Sequence, residues 1–199
     1  MVGRVTNCVE PKLSFIVGRP GSDRTTYARL WAKSQGKLIE NHNGETDRIH
    51  YLAGLGREGP ELAPPFRAPH HTISQRGMYG QVLRGWDWRP GEVSLASGGV
   101  LFLDDAPEFH QTIWTMLWSI WHIKHVTGNG CPYPSRFHLL VASSPCPCGQ
   151  VGRPTMETAC NCTPEMIVRY MGRIPAWVRE AENTHWREDQ AVWNYVSKT

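Results

Sequence analysis

The sequence lacks any long hydrophobic run and any signal-like start. None of its apolar stretches reaches the roughly 18 residues that a membrane-spanning helix needs. Its N-terminus also lacks the basic and then apolar pattern of a secretory signal peptide. We therefore expect a cytoplasmic protein that makes no membrane contact.

The sequence also lacks a strong excess of charge of either sign. Its 21 Lys and Arg residues stand against 18 Asp and Glu residues, a net charge of +3. This mild basic excess is compatible with a nucleic-acid partner but does not require one. Internal repeats and low-complexity tracts are absent too. Because hydrophobic residues make up 40% of the 199 residues and charged residues 20%, we expect one main folded domain.

The first part of the chain predicts a strand, a glycine-containing loop and a helix in that order. The apolar run at 13–17 is typical of a buried strand, and the spacing of Tyr27, Leu30 and Trp31 indicates a helix over 25–35. A second short strand is expected at 37–40. The polar, Gly-rich residues 41–64 are expected to form mostly loop with a little helix.

Later residues repeat the strand and helix alternation. Residues 64–91 are rich in Pro, Gly, His and Arg, which favours an ordered irregular segment rather than a regular helix or strand. Buried strands are then expected at 100–103 and 137–142. A helix is expected where apolar residues recur at helical spacing, namely Ile113, Met116, Leu117, Ile120 and Trp121. This alternation predicts an α/β domain with a mostly parallel sheet, whose ligands gather beyond the carboxyl ends of the strands.

Residues 18–25 lie where a phosphate-binding loop belongs. Such a loop needs free backbone N–H groups, a helix N-terminus, a cation and a hydroxyl for Mg²⁺. Arg24 stands in the usual lysine position and Thr25 in the hydroxyl position, while Asp23 replaces the second glycine. Taken alone, the stretch favours an ordinary Gly-Pro turn over a phosphate-binding loop.

The strand at 100–103 ends in two acids, Asp104 and Asp105. In a Walker B strand an acid at this position holds Mg²⁺ and its neighbour polarises the attacking water. The alternative is a core strand followed by two solvated acids. The order of phosphate loop, acidic strand and a third strand ending at Ser144 favours a nucleotide site.

Several longer strings resemble the magnesium-chelatase-related AAA+ ATPases, and most closely the bacterial ComM type, a DNA branch-migration helicase. The resemblance covers about residues 13–175 and is carried by these strings: 65–74, 89–96, 98–109, 145–149, 160–164, Arg169-Tyr170 and Arg173-Ile174. It implies an AAA+ P-loop NTPase core that binds ATP and Mg²⁺ and assembles into a ring, most often a hexamer. A hetero-ring with an intact homologue, and action on DNA, are implied only by this analogy.

The resemblance also implies roles for individual residues. The phosphate-loop positions are Gly18, Pro20, Gly21, Ser22, Asp23, Arg24, Thr25 and Thr26. Arg24 and the loop backbone are expected to hold the phosphates, Thr25 and Asp104 the magnesium ion, Asp105 the water, and Ser144 the γ-phosphate side. The family has Gly-Lys at 23–24, Glu at 105 and Asn at 144. These departures predict weak ATP binding and hydrolysis that is slow or absent. A non-enzymatic interaction module with a decayed nucleotide site is the alternative.

The ends of the chain depart further from the family pattern. We expect an N-terminal lead-in at 1–12, the AAA+ core at 13–175 and a tail at 176–199, with no C-terminal helical lid. Arg179 stands near the place of the family's arginine finger, but the aspartate that precedes the finger is missing. Arg179 is therefore expected to be a remnant of that finger.

Four of the six cysteines form two close pairs, in a Cys-rich loop at 145–163. Cys146 and Cys148 are followed, after eleven residues, by Cys160 and Cys162. Four thiolates suffice for a tetrahedral Zn²⁺ site that would clamp the loop. Cys-x-Cys pairs are less usual than Cys-x-x-Cys pairs, and four reduced thiols are the alternative.

Overall fold

The computed structural model describes residues 10–19, 23–34, 43–55, 64–83, 87–151 and 159–181. Its strands are β1 (Leu13–Val17), β2 (Phe66–Arg67), β3 (Gly80–Val82), β4 (Trp88–Pro90), β5 (Val100–Leu103), β6 (His125–Gly128), β7 (Cys131–Pro134) and β8 (His138–Ser143). Its helices are α1 (Arg24–Ser34), α2 (Asn43–Leu52), α3 (Gln75–Tyr79), α4 (Glu92–Leu95), α5 (Gln111–Ile123), α6 (Pro164–Met171) and α7 (Ala176–Arg179), with a 3₁₀ helix at Ala106–Glu108.

A four-stranded parallel sheet in the order β1-β8-β5-β2 lies at the centre of the domain. This arrangement confirms the predicted α/β fold with a parallel sheet. The strands expected to be buried are buried, as shown by these residues: Phe15, Ile16, Leu101, Phe102, Leu139 and Val141. Alternate residues of each strand enter different apolar clusters, because successive side chains of a strand point to opposite faces.

Helices cover both faces of this sheet. The predicted helix after the acid pair is α5, which buries Ile113, Leu117 and Ile120 in the larger cluster. On the other face, α1 contributes Ala28 and Trp31 to the smaller cluster. Leu30 is 60% exposed, so the apolar stripe of α1 is narrower than its sequence spacing suggests.

The structure corrects two predictions about the middle of the chain. Residues 41–64 were expected to be mostly loop, yet α2 occupies ten of them. Its burial depends on distant residues, since the His50 ring lies 2.9 Å from the carbonyl oxygen of Leu95. Residues 64–91 were expected to lack regular elements, yet they contain β2, α3 and the β3–β4 hairpin. The predicted strand at 37–40 lies outside the described residues.

The short strand β2 illustrates why local patterns missed these elements. Within the described part of the chain, its two residues pair only with Val100 and Leu101 of β5. The Arg67 side chain makes a two-bonded ion pair with Glu92, at 2.6 and 2.7 Å. Partners more than twenty residues away therefore hold this strand, and a local periodicity cannot reveal them.

The described part of the chain continues past residue 175. Val178 of α7 is buried in the larger apolar cluster, inside the segment that the sequence assigns to a tail. Among the described residues, no helix has both the length and the apolar character needed to cross a bilayer.

Candidate functional site

Three parallel strands end at one edge of the sheet and bring the predicted polar residues together. Gly18 follows β1, Asp104 follows β5 and Ser144 follows β8. The Gly18 backbone N–H donates to the Ser143 carbonyl oxygen at 3.0 Å, which ties the start of the predicted phosphate loop to β8. Carboxyl ends of parallel strands are where α/β proteins place ligands.

Arg24 connects these strand ends. It is the first residue of α1 and is only 8% exposed. Its Nε lies 3.2 Å from Asp104 Oδ1, and its Nη2 donates to Asp105 Oδ1 at 2.9 Å. Its Nη1 donates to Ser144 Oγ at 3.3 Å. One guanidinium therefore contacts both acids and the serine, which its fork of donors allows and a lysine ammonium could not reproduce with the same geometry.

The two acids have an unusual local backbone. Asp105 has φ 53° and ψ 49°, in the left-handed region that Asp tolerates better than most residues. Its N–H donates to Asp104 Oδ1 at 2.9 Å, and the 3₁₀ helix begins directly afterwards. Burial raises the pKa of Asp104, while the charge of Arg24 opposes that rise. Arg24 is thus the cation that favours the ionised form of this acid.

Asp23 caps the first turn of α1. Its Oδ1 accepts from the Thr26 hydroxyl at 2.9 Å, and its carbonyl oxygen accepts from the Tyr27 N–H at 2.9 Å. Asp is a favoured residue at this position because its charge also suits the positive end of the helix dipole. Asp23, Thr25 and Thr26 are exposed, whereas Pro20, Gly21 and Ser22 lie outside the described residues.

These residues have the chemistry that a nucleotide site needs. The carboxylates of Asp104 and Asp105 and the hydroxyl of Ser144, which all contact Arg24, offer the oxygen ligands that suit Mg²⁺. Arg24 and the start of α1 offer positive charge to phosphate oxygens. The donor set therefore fits, with one departure: the same carboxylates already have a guanidinium within hydrogen-bonding distance.

Sequence reasoning missed Tyr170 as a neighbour of the site. Burial raises the pKa of the Tyr170 hydroxyl, which also interacts with the hydroxyls of Ser143 and Ser144. Tyr170 lies on α6, between the buried residues Ile167 and Met171. In the sequence, Tyr170 belongs to a string that carries the family resemblance, but its spacing from Ile167 and Met171 is that of a core residue.

Arg179, the predicted finger remnant, lies on α7. Its Nε donates to the carbonyl oxygen of Ile174 in the same chain at 3.1 Å. The residue as a whole is exposed.

The four predicted zinc ligands converge. All four Sγ atoms of Cys146, Cys148, Cys160 and Cys162 lie within 4.8 Å of one another. Neighbouring sulfurs are 3.4 to 3.8 Å apart. Disulfide sulfurs would lie about 2.05 Å apart, so these cysteines are free thiols. Among the described residues this is the only cluster of its kind, and Cys131 is exposed elsewhere.

The chain matches a protein-family model described as "Magnesium chelatase, subunit ChlI" over residues 12–180. It is 32% identical over 169 residues to the uncharacterized protein YifB of Escherichia coli, covering 80% of this chain and 31% of that protein. It is 35% identical over 114 residues to the competence protein ComM of Haemophilus influenzae, covering 55% of this chain and 21% of that protein.

Solved structures add a likeness of fold. The crystal structure of NtrX from Brucella abortus matches with a TM-score of 0.54 at 12% identity, covering 87% of this chain and 32% of that one. The chain thus spans about a third or less of the length of the proteins that it matches.

Proposed function

Because the chain belongs to the magnesium chelatase subunit ChlI family and is an AAA+ module of the ComM-like kind, we propose that it binds ATP with Mg²⁺ and hydrolyses it slowly. One observation carries this proposal. Arg24, at the start of α1, contacts Asp104, Asp105 and Ser144 at the ends of two neighbouring strands.

Each residue has a role in this proposal. Arg24 and the loop backbone bind phosphate oxygens, and Asp105 orients the attacking water. Ser144 donates to the γ-phosphate side. Thr25 and Asp104 would hold magnesium, which neutralises charge on the phosphates when bound.

The departures from the family pattern support weak binding and slow turnover. The Asp23 carboxylate brings a negative charge toward the phosphates, and two unit charges about 4 Å apart repel by roughly 1 to 4 kcal/mol, depending on screening. The Asp105 side chain is shorter than Glu by about 1.5 Å, one carbon–carbon step. Arg24 must also exchange part of its contact with the two acids for phosphate oxygens.

An ATP titration with and without Mg²⁺ tests this proposal. We expect weak binding by the unmodified chain and tighter binding by Asp23→Gly. Asp87→Gly is the matched control, because it removes the same charge from another exposed loop. Adding Asp105→Glu to Asp23→Gly should recover more turnover than either change alone. Brisk ATPase activity in the unmodified chain would contradict this explanation of the departures.

One observation favours a second candidate, a non-enzymatic interaction module. Arg24 already neutralises the acid pair, and Asp23 already caps α1, so the cluster is stable without a nucleotide. In that case neither the unmodified chain nor Asp23→Gly would bind ATP at any Mg²⁺ concentration. The same titration therefore separates the two candidates.

We further propose a ring assembly, with nucleotide at the subunit interfaces. Arg179 is exposed and would face a neighbouring subunit, either a copy of this chain in a hexamer or an intact homologue in a hetero-ring. Sedimentation velocity with and without ATP measures the assembly. A monomer under both conditions, alone and mixed with the homologue, would contradict it.

By analogy with the family, we also propose that this chain acts on DNA in the cytoplasm. The net charge of +3 permits it. The partly exposed Trp88 ring, an aromatic surface of the kind on which bases stack, is already stacked on Tyr133 with ring centroids 5.6 Å apart. Fluorescence anisotropy with single-stranded and double-stranded DNA over a salt series measures this binding.

The cysteine cluster is proposed to hold one Zn²⁺ ion. Four free thiols within one ion's reach fit the donor set of a structural zinc site. Elemental analysis after expression with added zinc tests this, and protein free of zinc would rule it out.

A further inference from the structure

The cysteine cluster has the dimensions of a tetrahedral metal site. With Zn–S bonds of about 2.3 Å, the sulfurs of a regular tetrahedron lie about 3.8 Å apart. The four measured separations, 3.4, 3.5, 3.5 and 3.8 Å, are close to that edge length. The cluster is therefore nearly arranged for one ion.

The cluster lies next to the proposed nucleotide site along the chain. Cys146 is two residues after Ser144, and the intervening Pro145 has a restricted φ. Cys146 is fully buried in the larger apolar cluster, whereas Cys148 is exposed. A displacement of Cys146 would therefore be transmitted to Ser144 through a short and stiff connection.

The second cysteine pair is connected to Ser144 as well, through helix α6. Cys162 precedes Thr163, whose hydroxyl caps α6 by accepting from the Met166 N–H at 3.3 Å. At the other end of α6, the Met171 sulfur lies 4.0 Å from Ser143 Oγ. Ser143 Oγ in turn donates to the Ser144 carbonyl oxygen at 2.8 Å. The chain thus leaves β8 at Ser144, reaches the cysteines and returns along α6.

We propose that a zinc ion bound by the four cysteines positions Ser144 for its contact with Arg24 and with ATP. Zinc binding releases the thiol protons and closes the loop between the two cysteine pairs. In this proposal zinc acts on ATP binding through the position of Ser144, two residues before Cys146. The ATP readout rests on the proposed nucleotide site, whereas the metal site does not.

The test uses the full chain and three readouts. Cys160→Ser with Cys162→Ser removes two ligands that are distant in sequence from Ser144, and Cys131→Ser is the matched control at an exposed cysteine. We expect the double variant to lose zinc and to bind ATP about three- to tenfold more weakly, which is the effect of one lost hydrogen bond. The control should keep both properties.

A double-mutant cycle separates positioning from general destabilisation. In a Ser144→Ala background, the same cysteine substitutions should change ATP affinity by less than about twofold, because the contact that they disturb is already gone. Equal losses in both backgrounds would overturn the positioning role. Loss of zinc without any change in ATP affinity would overturn it as well.

The third readout does not need ATP. Hydrogen exchange of peptides covering 138–148 should accelerate when zinc is removed, while peptides covering α1 stay unchanged. If the double variant fails to fold, a chelator titration of the unmodified protein gives the same comparison. Undetectable ATP binding would refute only the proposed nucleotide binding. Zinc content and hydrogen exchange would still test whether the metal orders the residues around Ser144. Failure of the unmodified protein to retain zinc would overturn this inference.

Discussion

Two polar clusters adjoin Ser144, and they differ in how their charge is balanced. On one side, Asp104 and Asp105 are paired with a guanidinium from the same chain. On the other side, four cysteine sulfurs lie within 4.8 Å of one another. The first cluster contains its own counter-ion, whereas thiolates in the second would be neutralised by a bound metal cation. Stability should therefore depend on residue identity in the first cluster and on solution conditions in the second.

Metal removal should produce the largest effect. With zinc at 100 to 1,000 times its Kd, binding stabilises the folded state by about 3 to 4 kcal/mol. For a chain of this size, a chelator should lower Tm by about 6 to 15 °C. Differential scanning calorimetry measures the shift. Cys160→Ser with Cys162→Ser should show no shift with chelator, and an unchanged Tm in the unmodified protein would remove the contrast between the clusters.

Removal of Arg24 should produce the next largest effect. Arg24→Ala leaves two neighbouring carboxylates without their cation, and breaking a fully buried pair costs about 3 to 5 kcal/mol. Because the acids are 32% and 44% exposed, we expect a loss of about 1 to 3 kcal/mol. Urea denaturation measures the free energy of unfolding.

Two further variants check the cause of that loss. Arg24→Lys keeps the charge but not the fork, so its free energy of unfolding should lie between those of the unmodified protein and Arg24→Ala. Asp105→Asn should restore part of the stability of Arg24→Ala, because it removes one of the repelling charges. If Asp105→Asn makes Arg24→Ala less stable instead, the carboxylates do not repel as described. None of these changes should alter zinc content.

A polar group at the opposite end of β8 gives a reference that depends on neither cluster. Burial, with a smaller contribution from Lys12, lowers the pKa of His138 to about 4. Its Nδ1 accepts from the Lys12 backbone N–H at 3.0 Å, and its buried Nε2 has no partner among the described residues. The unfolded chain therefore binds a proton here between about pH 6.5 and pH 4 while the folded chain does not.

The free energy of unfolding should fall as pH is lowered through that window, by up to about 2 to 3 kcal/mol. His138→Asn keeps an acceptor for the Lys12 N–H and should flatten this part of the profile. Asp104, whose pKa burial raises, contributes with the opposite sign. The free energy of unfolding of His138→Asn should therefore be compared with that of the unmodified protein at each pH. If the two curves run parallel, His138 is not the source of the pH dependence.

The smallest expected effect concerns Asp23. Replacing an Asp cap by Gly typically costs only a few tenths of a kcal/mol. Asp23→Gly should therefore leave the urea midpoint nearly unchanged, while it tightens ATP binding if the proposed site is used. Asp23→Ala should cost more, about 1 kcal/mol, because Ala cannot cap. A large stability loss in Asp23→Gly would mean that the carboxylate has contacts beyond the first turn of α1.

The parts of the fold that were predicted correctly depend on local information. Apolar runs marked β1, β5 and β8, and the acids at 104–105 followed from their place after a buried strand. The extent of helix α2 was underestimated and strand β2 was missed, because distant partners such as Leu95 and Val100 hold them.

The site shows the same division between local and distant information. Its residues could be named from order and resemblance, but the convergence of Arg24 on three other residues could not. By contrast, the two Cys-x-Cys pairs were predicted to share one metal ion, and their sulfurs do lie within 4.8 Å of one another. Tyr170 was missed as a site residue because its spacing from the apolar residues Ile167 and Met171 fits a core position equally well.

The order of strands in the sheet has a consequence for how the chain folds during synthesis. β1 and β5 do not pair with each other, since both pair with β8, which is synthesised last of the sheet strands. Leu13 therefore cannot pair until Leu139, its partner in the register, has been synthesised. Until residues 138–143 leave the ribosome, β1 has no neighbour in this sheet, and the apolar faces of β1 and β5 cannot form their common core. Such long-range pairing slows folding and leaves strand edges exposed to other chains. The nascent chain is thus most prone to aggregation just before β8 is complete.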